Sequence, residues 1–89
     1  MKFTWDSAKA ALNFRNHRVA FDEATTAFGD PLAGTFADAD HSLGEARLIT
    51  VGISHAGRLL VVSHTEYNGQ VRIISARLAT AHERKRYES

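Results

Sequence analysis

The dipeptide Asn68-Gly69, set between two runs of aliphatic and β-branched residues, constrains this chain more than any other feature. A two-residue type I′ turn needs positive φ at both central positions, and Asn followed by Gly adopts it readily. The pattern predicts a strand from Arg58 to Glu66, the turn Tyr67-Asn68-Gly69-Gln70, and a return strand from Val71 to Arg77. With Tyr67 facing Gln70, the opposed pairs become Glu66/Val71, Thr65/Arg72, His64/Ile73, Ser63/Ile74 and Val62/Ser75. Unbroken alternation then puts Leu60, Val62, His64, Glu66, Val71, Ile73, Ser75 and Arg77 on one face. Leu59, Val61, Thr65, Arg72 and Ile74 fall on the other. A bulge would alter that partition, and helices can cover either face.

Around the hairpin the remaining elements follow from local signals. Lys2-Phe-Thr-Trp5 reads as a short strand, and Asp6 can cap a helix from Ser7 to about Asn16, with Ala8, Ala11, Leu12 and Arg15 at helical spacing. A second helix restarts near Phe21, with Asp22 as its expected N-cap, and stops at Gly29-Asp30-Pro31. Leu32 to Phe36 and Glu45 to Ser54 read as strands flanking an acidic loop, and His55-Ala56-Gly57 turns the chain into the hairpin. Thr80-Ala-His-Glu83 is a capping box that opens a final helix, whose only apolar members are Ala81 and Tyr87. Such a helix lies on the surface and presents charge. The expected class is α+β, in one domain spanning residues 1–89.

Composition narrows the chemistry. Without cysteine there is no disulfide framework, no thiolate metal site and no thiol nucleophile. The longest apolar run, Leu59-Leu-Val-Val62, is far too short to span a bilayer, and no secretory leader pattern opens the chain. A soluble, cytoplasmic protein with no membrane partner is expected. Net charge is only +1, but the signs are segregated. Between Val19 and Ala46 there is no Lys or Arg, whereas Asp22, Glu23, Asp30, Asp38, Asp40 and Glu45 all fall there. A basic face attracts phosphate, and an acidic segment repels it or docks a basic partner.

Cleaving a phosphodiester without a metal takes a base for the ribose 2′-proton, cations for the pentacoordinate phosphorane, and an acid for the 5′-oxygen. Glu66 or His64 could move the protons, and Arg72 and Arg77 could hold phosphate, since a guanidinium binds two phosphate oxygens at once and stays charged. Arg84, Lys85 and Arg86 could contact an RNA backbone while Tyr87 stacks a base. Each has an ordinary structural alternative: a solvated strand end for Glu66, a surface residue for Arg72, a core ring for His64, a solvated helix for the basic run. The rival metal chemistry, His41 with Asp38 and Asp40 or His64 with Glu66, lacks ligand spacing, so neither metal nor cofactor is expected. No serine sits in a nucleophile elbow, and no glycine-rich phosphate loop occurs.

Taken together, Phe3-Thr-Trp-Asp-Ser-Ala-Lys9, Asn16-His17, Phe21-Asp-Glu-Ala24, Phe28-Gly-Asp-Pro31, Asp40-His41, Gly44-Glu-Ala-Arg47, His64-Thr-Glu66, Arg72-Ile-Ile-Ser-Ala-Arg77 and Glu83-Arg-Lys-Arg-Tyr87 resemble the BrnT family of toxin–antitoxin ribonucleases. The resemblance implies a RelE-like fold, with two N-terminal helices packed on an antiparallel sheet and a C-terminal helix. It also implies a metal-independent endoribonuclease that arrests growth, with Glu66 and Arg72 catalytic, His64 and Arg77 supporting, and the basic helix on RNA. A BrnA-like, ribbon-helix-helix antitoxin would neutralise it, in a dimer or heterotetramer, and would alone contact operator DNA. The acidic segment from Asp22 to Glu45 would suit a basic antitoxin. Two positions depart from the family pattern. Arg18 stands where glycine commonly follows the helix-ending His, calling for a left-handed arginine or another C-cap. Tyr67-Asn68-Gly69-Gln70 replaces a charged turn. The opposing expectation is a binding module without catalysis, acting as corepressor of a DNA-binding partner.

Overall fold

The computed structural model describes residues 1–39 and 46–89. In chain order the elements are β1 (Lys2–Thr4), α1 (Ser7–His17), α2 (Phe21–Ala27), β2 (Gly34–Ala37), β3 (Leu48–Ile53), β4 (Leu59–Tyr67), β5 (Gln70–Leu78) and α3 (Ala81–Glu88). They form a five-stranded sheet in the order β1-β5-β4-β3-β2. The sheet is mixed and not wholly antiparallel: β1 runs parallel to β5, with Phe3 beside Val71, while the other pairings are antiparallel. No local signal marks this. The N-terminal strand reaches the far edge of the hairpin only after two helices and two other strands have been placed.

Asp6 caps α1 as expected, its Oδ1 accepting from the N–H groups of Ala8 (2.8 Å) and Lys9 (3.1 Å). The helix ends on Arg18 in the left-handed region, φ 58° and ψ 32°, the position where glycine normally relieves strain. Arg18 is held there by its guanidinium, 5.8 Å from the Phe14 ring centre, and by its carbonyl, which accepts from Arg58 Nη2 at 3.0 Å. The second helix departs from expectation. It starts at Phe21 with Ala20 at the N-cap and no side-chain cap, because burial of Val19 and Phe21 sets its entry. Asp22 and Glu23 sit instead in its first turn, where the free N–H groups favour negative charge. The strand expected from Leu32 begins at Gly34, since the Asp30 turn extends to Ala33, whose N–H bonds Asp30 O at 3.0 Å. The next strand runs Leu48–Ile53.

Both N-terminal helices lie on one face of the sheet. Val19, Phe21, Ala24 and Ala27 close on Leu60, Val62, Ile73 and Ala76, with Phe3, Trp5, Ala10 and Phe28 packed around them. At Gly52 a Cβ would lie 2.6 Å from the Ala27 carbonyl oxygen, so glycine is what lets α2 seat against β3. Beyond Arg72 the edge of β5 has no strand partner in β1, and the buried Asn13 amide stands in for one. Its Nδ2 donates to Ala76 O (2.8 Å) and Val19 O (2.9 Å), and its Oδ1 accepts from Ala76 N (3.1 Å).

The turn is as predicted, with φ 51° at Asn68 and 77° at Gly69, and the first four hairpin pairs keep the predicted register. Between Ser63 and His64 the register shifts: Ser63 opposes Ser75, Val62 opposes Ala76 and Val61 opposes Arg77, leaving Ile74 extra on β5. This corrects the partition drawn from unbroken alternation. Ala76, not Ser75, turns into the core, and Arg77 moves to the opposite face, that of Thr65 and Arg72.

Candidate nucleic-acid interface

The face of the sheet away from α1 and α2 carries Arg72, level with Thr65, and Arg77, level with Val61. Those levels are four β4 positions apart, so the two arginines stand about 13 Å apart along the strand. Beside Arg77 the chain leaves the sheet and enters α3. Its Thr80 N-cap satisfies the Glu83 N–H while Glu83 Oε1 accepts from the Thr80 N–H, completing the capping box. No residue of this helix is buried. It is fastened by Tyr87, whose hydroxyl donates to Asp30 Oδ2, and by Glu83, whose Oε1 and Oε2 accept from Arg77 Nη1 (2.7 Å) and Nη2 (2.8 Å). Tyr87 therefore holds Asp30 below the usual carboxylate range, and its own hydroxyl is raised in turn.

Between α3 and the sheet lies an open cleft of about 620 Å³. Phe36, Ile49, Val51 and Val61 form its apolar side, and Arg77, His82, Glu83, Arg86 and Tyr87 its polar side. Hydrogen bonding to Arg77 pulls the Glu83 carboxyl down to about 2, so it stays ionised and orients the guanidinium without exchanging protons near neutrality. Arg77 Nη1 also donates to Leu78 O at 3.2 Å, which among the described residues leaves its Nε–H and one Nη2–H for a further anion.

His64 is fully buried, on the face covered by the helices. Its Nε2 lies 2.7 Å from Thr50 Oγ1, which lies 2.7 Å from Thr35 Oγ1, and its ring meets Phe28 edge-on at 4.9 Å. Nδ1 has no partner. The economical assignment puts the proton on Nε2, donating to Thr50, which donates onward to Thr35; a bare lone pair is left buried and not an orphaned N–H. Desolvation holds this imidazole below its usual pKa, opposed by the Glu66 charge. The ring is a core group with no access to a substrate. Glu66 is solvent-exposed at the end of β4, level with Val71 and on the opposite side of the hairpin from Arg72. The four residues first grouped as catalytic are thus split: Arg72 and Arg77 share a face, Glu66 lies behind it, and His64 is inside.

The basic helix divides too. Arg86 and Tyr87 line the cleft, whereas Arg84 and Lys85 are exposed elsewhere on α3. His82 of the same helix lines the cleft with Arg86 and Tyr87; Glu83 and Phe36 were not singled out for the site. Helical spacing could have found Glu83, because it lies one turn before Tyr87 and shares its side of the helix. Phe36 carried no such signal. Of the metal cluster weighed above, Asp40 and His41 fall outside the described residues, and among the described residues no three His, Asp or Glu side chains converge. Among them also, no helix is long and apolar enough to cross a membrane.

Comparison with known proteins agrees with this architecture. No curated protein sequence matches the chain. Among solved structures, the 1.1 Å crystal structure of the Brucella abortus ribonuclease toxin, BrnT, superposes with a TM-score of 0.69 at 22% identity. The match covers 90% of this chain and 97% of that one, and it supports the shared fold. A family model described as the ribonuclease toxin, BrnT, of a type II toxin–antitoxin system matches residues 5–83. The chain therefore belongs to the BrnT family of ribonuclease toxins.

Proposed function

We propose that this chain is an endoribonuclease that cuts RNA without a metal, using the sheet face that bears Arg72 and Arg77. The observation carrying this reading is the register shift at Ser63/His64, which brings two arginines of opposite parity to one face, next to the cleft that also holds His82 and Arg86. Three guanidinium groups, less the Glu83 carboxylate that pairs with Arg77, leave a net positive charge of the kind that phosphoryl chemistry needs. In this scheme Arg77 and Arg86 grip the reacting phosphate through free N–H donors, and Arg72 holds a neighbouring one. The ribose 2′-oxygen attacks phosphorus and the bond to the 5′-oxygen breaks. His82, the imidazole in the cleft, takes the 2′-proton, and solvent protonates the departing 5′-oxygen. The products are a 2′,3′-cyclic phosphate and a 5′-hydroxyl. Glu66, behind the hairpin and near the level of Arg72, is too far along the strand to serve the same phosphate.

Membership of a type II toxin family implies an antitoxin partner. We assign it a ribbon-helix-helix DNA-binding part, which would make the pair an operon repressor and the free toxin growth-arresting. The test is cleavage of end-labelled RNA by antitoxin-free protein in excess EDTA, beside Arg72→Ala/Arg77→Ala, His82→Ala and Glu66→Ala. Wild-type cleavage leaving cyclic phosphate ends, lost in the first two variants and kept in the third, is expected. Cleavage that requires an added divalent cation overturns metal independence. Loss on Glu66→Ala but not His82→Ala moves the proton transfer to the hairpin end.

A further inference from the structure

The cleft beside Arg77 has one property that gripping phosphate does not require, an apolar wall. Ile49, Val51 and Val61 line it from adjacent strands, and Phe36 stands on the edge strand with 54% of its surface exposed. An edge strand is usually guarded by charge or proline, yet Gly34-Thr-Phe-Ala37 has neither and all four residues are exposed. Facing this wall are Arg77, whose charge is offset by the Glu83 carboxylate it pairs with, and Arg86, so the rim keeps a net positive charge. An apolar wall with an aromatic ring opposite a cationic rim is complementary to a nucleotide, whose base is a flat apolar plate and whose phosphate is an anion. The volume, about 620 Å³, suits a single small ligand more than a folded partner.

We propose that this wall is a nucleobase subsite, taking one unpaired base of the RNA against Phe36 while Arg77 and Arg86 hold the phosphates that flank it. The inference rests on the ribonuclease reading and deepens it. A base can enter a cleft bounded by the sheet and α3 only after leaving a duplex stack, so the substrate class is single-stranded RNA. Phe36 becomes the platform on which that base stacks, whichever base it is.

Binding is measured with a single-stranded, 2′-fluoro-substituted octanucleotide, which cannot be cut, and with a series in which each position in turn lacks its base. Base–aromatic stacking predicts that Phe36→Ala weakens binding of the intact strand about 5- to 150-fold and that Phe36→Trp restores it. One abasic position should cost the wild type a similar factor and cost Phe36→Ala almost nothing. Annealing the complementary strand should abolish binding. The proposal is overturned if every abasic strand binds the wild type like the parent, or if Phe36→Ala binds normally. It is also overturned if the wild type but not Phe36→Ala proves dimeric, which would make the cleft a contact between copies. Cleavage of unmodified RNA by the same preparation separates the two readings: cutting without abasic sensitivity leaves the nuclease and removes the subsite, and neither cutting nor binding removes both.

Discussion

The two faces of the β4–β5 hairpin are built from similar side chains and do different things. On the side under α1 and α2, Leu60, Val62, Ile73 and Ala76 are buried to 1% exposure or less and close the core. On the other side Leu59 and Val61 of β4 are also buried, but there β5 carries Arg72 and Arg77 outward, and the face borders the cleft. The difference is made by one extra residue. Were β5 regular, Arg77 would point into the helices and Ala76 away from them; the shift at Ser63/His64 exchanges them. A single bulge thus lets one strand serve a core and a cationic surface, each with its own pattern. Stability and chemistry should therefore be separable by substitutions a few ångströms apart.

The largest expected effects test that separation directly. Leu60→Ala opens a cavity on the covered face and should cost about 2–5 kcal/mol, a large share of the roughly 4–13 kcal/mol available to a domain of this length. The fraction that stays folded should cut RNA normally. Arg77→Ala should do the reverse. Its partner Glu83 is partly exposed, so the pair contributes less than about 1 kcal/mol to folding, while loss of a transition-state donor should lower cleavage about 10²- to 10³-fold. Urea unfolding beside the cleavage rate checks both. If Arg77→Ala unfolds the protein, or Leu60→Ala slows cleavage by folded molecules, the two faces are not independent.

How far this division was legible depends on the range of each cause. The Asn68-Gly69 turn fixed four pairs because turn geometry is local, and Asp6 and the Thr80–Glu83 box announced their helices for the same reason. Asp22 misled as a cap because burial of Val19 and Phe21, a tertiary matter, placed the start of α2. The bulge was invisible, since nothing between Ile73 and Arg77 breaks a β pattern, and the faces of Ser75 and Arg77 went with it. Glu83 looked complete as a capping residue, although its carboxylate also reaches back six residues to Arg77. His64 illustrates the limit in the other direction. Its residue type suggested chemistry, but its position, level with Ile73 before the bulge, assigned it to the core.

That burial gives the covered face a pH signature of its own. Native His64 is held neutral by desolvation, its pKa lowered from 6.5, whereas in the unfolded chain it takes up a proton near that ordinary value. Below about 6.5 the unfolded state thus binds more protons, and stability falls as pH drops from 6.5 toward the native value, by at most about 1.4 kcal/mol per pH unit. Above 6.5 the contribution is complete. The carboxylates whose pKa values are lowered, Asp6, Glu23, Asp30 and Glu83, lose their contributions only below their own unfolded values of 3.8 to 4.5, so the window between is left to His64. Urea midpoints at pH 7.5 and 5.5 should differ in the wild type and draw together in His64→Gln, whose amide can still meet Thr50. A wild-type midpoint that does not move would mean the ring is protonated in the native state, contrary to its burial.

The smallest predicted effect has the opposite sign and lies outside both faces. Arg18 holds left-handed backbone, φ 58°, that costs a residue with a Cβ about 1–2 kcal/mol relative to glycine. Part of that cost is offset by its guanidinium over Phe14, a contact worth about 0.5–1 kcal/mol at an exposed site. Glycine would also lose more backbone entropy on folding, which trims the gain further. The Arg58 bond to the residue-18 carbonyl survives the change because it uses backbone. Arg18→Gly should therefore stabilise the fold by no more than about 1 kcal/mol and leave cleavage unchanged, since residue 18 lies between α1 and α2 and does not border the cleft. A rise in thermal midpoint with an unaltered rate would confirm that the strain there does not serve the chemistry. A fall in the rate would tie the end of α1, through Arg58 and β4, to the face that carries the arginines.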